Sequence, residues 1–101
     1  MITWTTANIP LSVPIDITAA KIKATIAQPG VTITKDISGA VYANQKTTFT
    51  LSLTQTETGR FKAGKARIMA NWIFQDEQRD GSAIGEITVQ ENLLPEEISY
   101  D

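Results

Sequence analysis

Residues 59–92, GRFKAGKARIMANWIFQDEQRDGSAIGEITVQEN, admit two incompatible readings. GRFKAGKA nearly fits the phosphate-loop pattern G-x-x-x-x-G-K-[ST], with Gly59, Gly64 and Lys65 in place. Ala66 stands where the magnesium-binding hydroxyl belongs. A phosphate loop also needs a helix behind it, whose N-terminal amides hold the anion. In its place comes KARIMANWIF, where Ile68, Ala70 and Trp72 alternate with Arg67, Met69 and Asn71, the period of a strand. The two glycines then shape backbone. Gly59 is expected to close a helical turn in the left-handed conformation, and Gly64 to open a strand.

The strand reading extends to a hairpin. KARIMANWIFQ and SAIGEITVQEN flank a loop, Asp76 to Gly81. Pairing Gln75 with Ser82 sets Phe74 opposite Ala83, Trp72 opposite Gly85, Ala70 opposite Ile87 and Ile68 opposite Val89 on one face. The other face pairs Ile73 with Ile84, Asn71 with Glu86, Met69 with Thr88 and Arg67 with Gln90. Apolar meets apolar, and a one-residue slip would put one strand's core face against solvent. Met69, Ile73 and Ile84 then form a joined apolar patch on the outward face. Such a patch suggests a partner, or else a central strand covered on both sides within the domain.

Upstream, TTFTLSLT puts Phe49, Leu51 and Leu53 on one face and Thr or Ser on the other, a half-buried strand. Thr54-Gln55-Thr56-Glu57 fits a capping box, so one helical turn is expected near residues 55–60, with Phe61 dropping into the core after it. Ile9, Leu11 and Val13 suggest a first strand, confined to a sheet edge by Pro10 and Pro14. Thr18–Gln28 carries both periods. Ile22, Ala24 and Ile26 alternate with polar residues, yet Ile22 and Ile26 also lie four apart behind Thr18, and strand is preferred. Pro29-Gly30 turns into VTIT. Six or seven short strands separated by turns predict an all-β, immunoglobulin-like β-sandwich over residues 1–94. Residues 95–101 form an acidic tail, either frayed or an arm that docks on a neighbour.

Composition narrows the function. The 101 residues make one domain with an ordinary 42% apolar content. A net charge of −2, with Lys and Arg scattered, argues against nucleic acid. With no cysteine and no histidine, disulfides, thiolate nucleophiles, the usual structural zinc sites and the side chain best suited to proton transfer near neutral pH are missing. No catalytic residue, cofactor or metal is therefore assigned. Asp76, Glu77 and Asp80 offer oxygen ligands, but without an EF-hand spacing and with Arg79 among them they read as a solvated turn. Trp4, Trp72, Tyr42 and Tyr100 are the rings available for a sugar-stacking platform. Trp72 belongs to the core face, which leaves Trp4 and Tyr100 as glycan-stacking candidates. The N-terminus has neither the basic start nor the apolar run of a signal peptide, and no stretch approaches a membrane span. The expectation is a chain made and folded in the cytoplasm of its host cell.

One resemblance adds to this reading. Residues 53–94 resemble the second half of small structural proteins from phages and prophages of Gram-positive bacteria. The shared pattern is a strand ending L-T-Q-x-x-T, a turn with an aromatic, then G-x-A-x-I-x-x-N-W, a polar loop and a closing strand ending E-N-L-L. Leu53, Thr54, Gln55, Thr58, Phe61, Gly64, Ala66, Ile68, Asn71, Trp72, Glu91, Asn92, Leu93 and Leu94 match it. MITWTTANIPLSVP also looks like theirs, whereas residues 16–47 match loosely. More distantly, the chain is similar to the immunoglobulin-like N-terminal module of phage baseplate upper proteins. The resemblance implies a virion-associated sandwich of the tail or baseplate, assembled with copies of itself or other virion proteins, with no catalytic residues. The alternative is a carbohydrate-binding module contacting host envelope glycans. An enzyme using carboxylates or Lys65 ranks lowest, since no nucleophile–base pair stands out.

Overall fold

The computed structural model describes residues 1–100 and is a sandwich of two antiparallel sheets. Strands β1 (Ala7–Val13), β5 (Lys46–Leu53) and β4 (Val41–Ala43) form one sheet in the order β1-β5-β4. Strands β3 (Val31–Ile37), β2 (Lys21–Gln28), β6 (Gly64–Ile73) and β7 (Arg79–Val89) form the other, in the order β3-β2-β6-β7. If β1 to β7 are taken as B, C, C′, D, E, F and G, the sheets are BED and C′CFG, the immunoglobulin-like arrangement. The Ile2–Gln90 bridge lays the N-terminal segment parallel to the end of β7 and covers that edge.

The alternating residues of both sheets make the core. Leu11, Val13, Phe49, Leu51 and Leu53 face Ile22, Ala24, Ile26, Ile68, Ala70 and Trp72, all buried. β1 is an edge strand, as its prolines require. Residues 21–28 are a strand, so the tertiary pattern outweighs the helical spacing of Ile22 and Ile26. Asp16, not a helix, organises the approach to it. Its Oδ1 accepts from Thr18 N (3.0 Å) and Thr18 Oγ1 (2.7 Å), bonds that lower its carboxyl pKa.

The single helical turn α1 (Gln55–Thr58) carries the expected capping box. Thr54 Oγ1 accepts from Glu57 N, and Thr54 N donates to Glu57 Oε1 at 2.9 Å. Phe61 is buried beyond it. Gly59 departs from expectation. Its φ is −64°, right-handed, so no left-handed cap is present. Glycine is needed there for space, because a Cβ at this position would lie 2.5 Å from the Trp4 indole.

The β6–β7 hairpin is real, but its register differs from the sequence reading. The connection is Phe74–Gln78, not Asp76–Gly81. Glu77 N donates to Phe74 O (2.9 Å), Phe74 N donates to Gln78 O (3.0 Å), and Glu77 is left-handed at φ 68°. This is a type I turn closed by a left-handed residue, a place where glycine is usual. Here Glu77 fills it, and Gly81 lies within β7. Consequently Ile73 faces Arg79, Trp72 faces Asp80, Met69 faces Ala83 and Ile68 faces Gly85. A bulge interrupts the ladder between the last two pairs and leaves Ile84 without a partner. The bulge changes the parity of β7. Ile87 and Val89 keep the inward side expected of them, while Ala83 turns outward and Ile84 packs on the core.

Candidate functional site

The phosphate-loop candidate is built as backbone. Gln28 clamps it, with Oε1 accepting from Lys62 N (2.9 Å) and Nε2 donating to Lys62 O (2.7 Å). Gly64, at φ 132°, pairs with Val89, and Lys65 stands exposed opposite Thr88 at the start of a strand. No helix N-terminus lies behind it to gather amides around an anion. In the acidic loop, Asp76 Oδ1 accepts from Gln78 N (3.1 Å) and Asp80 Oδ1 accepts from Gly81 N (2.8 Å). Among the described residues no three acidic side chains converge as ion ligands.

The two glycan-stacking candidates are unlike each other. Trp4, left-handed at φ 61°, is half-buried, and one face of its ring is taken by Gly59. Tyr100 is fully exposed.

The interface candidates separate into two sites. Met69 and Ile73 point outward from β6, 44% and 39% exposed. Ile84 does not join them, for it is half-buried against the core. The expected three-residue patch is therefore corrected to a two-residue one. Its other neighbours come from the β2–β6 register, which hairpin reasoning missed. Ile73 lies between Lys21 of β2 and Arg79 of β7, Asn71 between Lys23 and Gly81, and Met69 between Thr25 and Ala83. Arg67 lies between Ala27 and Glu86.

The result is a shallow groove along the outer face of β6. One depression of about 550 Å³ is lined by Thr25, Ala27, Met69 and Ala83, with Arg67 and Glu86 beside them. A second, of about 210 Å³, shares Asn71 and is lined by Lys21, Lys23, Ile73 and Arg79. Asn71 and Gly81 explain part of this shape. A Cβ at Gly81 would fall 2.6 Å from Asn71 Oδ1, so the missing side chain lets the amide lean across β7.

The groove is electropositive. Lys21, Lys23, Lys65, Arg67 and Arg79 are five of the nine Lys and Arg residues in a chain of net charge −2, and all project from this face. Facing them on the same sheet are Asp36 and Glu86. Lys23 pairs with Asp36 at 2.8 Å, and that contact lowers the Asp36 carboxyl pKa.

A second exposed feature is the segment after β7. It is anchored at Asn92 and Ile98. Asn92 donates from its backbone N to Thr3 Oγ1 and from Nδ2 to Thr3 O, each at 3.0 Å. Ile98 N donates to Gln55 Oε1 (2.9 Å), and Gln55 Nε2 donates back to Ile98 O (3.1 Å). Glu97 Oε2 accepts from Thr56 Oγ1 at 3.3 Å, while the apolar side chains of the segment stay outside. Leu93 is 102% and Tyr100 105% exposed, and Ile98 is also exposed. Glu91, Glu96 and Glu97 accompany them on the surface.

No protein-family model matches the chain, and no curated protein matches it significantly.

Proposed function

We propose that this chain is a non-catalytic structural protein of a phage or prophage particle, in the tail or baseplate region, that works by protein–protein assembly. The observation that carries the reading is the groove on the outer face of β6. Met69 and Ile73, on either side of Asn71, lie open between cationic rims on a face that none of the described residues covers. Exposed apolar side chains set in a groove with polar rims are a feature of contact sites between proteins. The resemblance of residues 53–94 to small virion proteins supplies the setting. Partners are further virion proteins or copies of the chain. The glycan-binding alternative would rest on Tyr100, which is exposed, and on the ring face of Trp4 that Gly59 does not occupy.

The test is a mass-spectrometric copy count in purified particles, together with sedimentation of the isolated protein. A fixed stoichiometry in particles is expected. Met69→Lys/Ile73→Lys should abolish association while leaving the fold intact, since both residues point to solvent. A wild type that assembles and a double variant that assembles equally would remove the groove from the interface. Absence from particles would remove the virion assignment.

A further inference from the structure

We propose that the groove on the outer face of β6 receives residues 93–100 of a second copy of this chain. The inference rests on the assembly reading and names its partner.

Three observations converge on that occupant. The first is charge. The groove sets Lys21, Lys23, Arg67 and Arg79 around Met69, Asn71 and Ile73, against two acids, Asp36 paired with Lys23 and Glu86 opposite Arg67, whereas the segment after β7 carries Glu91, Glu96 and Glu97 among Leu93, Ile98 and Tyr100. Cations outnumber acids on the groove face and acids alone line the segment, and opposite potentials fix partner choice and register. The second is length. From Arg67 to Ile73 the groove runs six strand steps, ~20 Å at ~3.3 Å each. Residues 93–100 span at most ~25 Å when extended. The third is presentation. Within its own chain the segment is tied to α1 by the Ile98 backbone on Gln55 and by Glu97 Oε2 on Thr56 Oγ1 (3.3 Å), and the side chains of Leu93 and Tyr100 stand free in solvent. They are displayed outward, so the groove they fit belongs to another molecule. Apolar contact would come from Leu93, Ile98 and Tyr100 on Met69, Ile73 and Ala83, with the glutamates reaching the rims.

The chain has no cysteine, so introduced thiols report proximity cleanly. Full-length Leu93→Cys is mixed with full-length Asn71→Cys under mild oxidation. A disulfide-linked heterodimer is expected well above that formed with Thr50→Cys, an exposed site on the other sheet. Adding Lys23→Glu and Arg67→Glu to the groove partner, or raising salt from about 0.05 to about 0.5 M, should reduce linking about tenfold or more, because exposed charges are screened over that range. Sedimentation of Leu93→Ser/Tyr100→Ser should show correspondingly weaker association than the parent. Near-UV circular dichroism checks that each variant stays folded.

Heterodimer no more abundant than the Thr50→Cys control overturns the proposal. So does a chain carrying both Leu93→Cys and Asn71→Cys that closes on itself as a dilute monomer, which would place the segment in its own groove. If the parent assembles, or is counted in particles, without Leu93–Asn71 linking, the arm-in-groove contact falls and the assembly reading stands. If the parent stays monomeric at every concentration and is absent from particles, both fall.

Discussion

Gly59 has a backbone that any residue could adopt, at φ −64°, and no room for a side chain. The indole of Trp4 lies where a Cβ would be, and Trp4 accepts a left-handed φ of 61° to reach it. Gly59→Ala should therefore destabilise by about 1–3 kcal/mol, the usual cost of overpacking. Denaturant unfolding measures this. Combining it with Trp4→Ala should cost less than the sum, because the clash disappears with the ring. Two steps earlier, Glu57 joins two elements. It caps α1, and its Oε2 meets Lys35 Nζ of β3 at 2.6 Å. The Lys35 contact and the Thr54 N–H together hold its carboxyl pKa below the ordinary 4.5. The folded form thus titrates below the unfolded one. Its stabilisation is present in full above the unfolded pKa and is lost as pH falls through the folded value. Glu57→Gln keeps an acceptor for the Thr54 N–H but removes the ion pair with Lys35, and should cost up to about 1 kcal/mol at pH 7. The gap to wild type should close in acid, which thermal unfolding from neutral pH down to about pH 2 will show.

Hairpins are the elements in which residue choice and geometry conflict. The β4–β5 turn places Asn44 (φ 53°) and Gln45 (φ 64°) in the left-handed region, a type I′ turn that favours Asn-Gly. The β6–β7 turn places Glu77 there as well. Gln45→Gly and Glu77→Gly should each stabilise by up to about 1 kcal/mol, since the left-handed region costs a side-chain residue ~1–2 kcal/mol and glycine returns part as chain entropy. Each melting temperature should rise by a few degrees. The same substitutions explain what the sequence concealed. Alternation in residues 47–54 and 64–73 made the inward faces legible, and Thr54–Glu57 made the turn legible. The hairpin register was not legible, because Gly81 marks the turn by composition while Glu77 makes it. The bulge at Ile84 did have a marker, Gly85 beside it at φ 152°, since a glycine inside a strand often signals a bulge, but alternation alone reads it as one more small residue on the inner face. Half of the candidate site followed from period alone, which aims Met69 and Ile73 outward. The cationic half needs the β2–β6 pairing, a contact between residues about fifty apart that no local pattern encodes.

On the scale of the whole molecule, three buried threonines tie the ends and crossovers to the sandwich. Thr47 Oγ1 accepts from Ile17 N (3.1 Å) and donates to Ile15 O (2.6 Å), fixing the β1–β2 crossover. Thr58 Oγ1 accepts from Thr5 N (3.1 Å) and donates to Thr5 O (2.6 Å), fixing the N-terminal segment to α1. Thr3, buried, receives Asn92 and thereby joins positions 89 residues apart. Its own N–H donates to Gln90 O at 2.9 Å, so one residue closes the β7 edge and anchors the segment beyond it. Thr3→Val keeps the volume and removes the hydroxyl. The Asn92 N–H then loses its acceptor in a partly buried place, at a cost of about 1–3 kcal/mol. The loss should be local in the first instance. Amide exchange should accelerate at Thr3, Gln90 and Asn92, while Ile26, Ile68 and Ala70 in the central β2–β6 pair keep the protection of global unfolding. A uniform acceleration across both sheets would instead mean that the Thr3–Asn92 closure holds the whole sandwich, and that the segment after β7 is part of its fold.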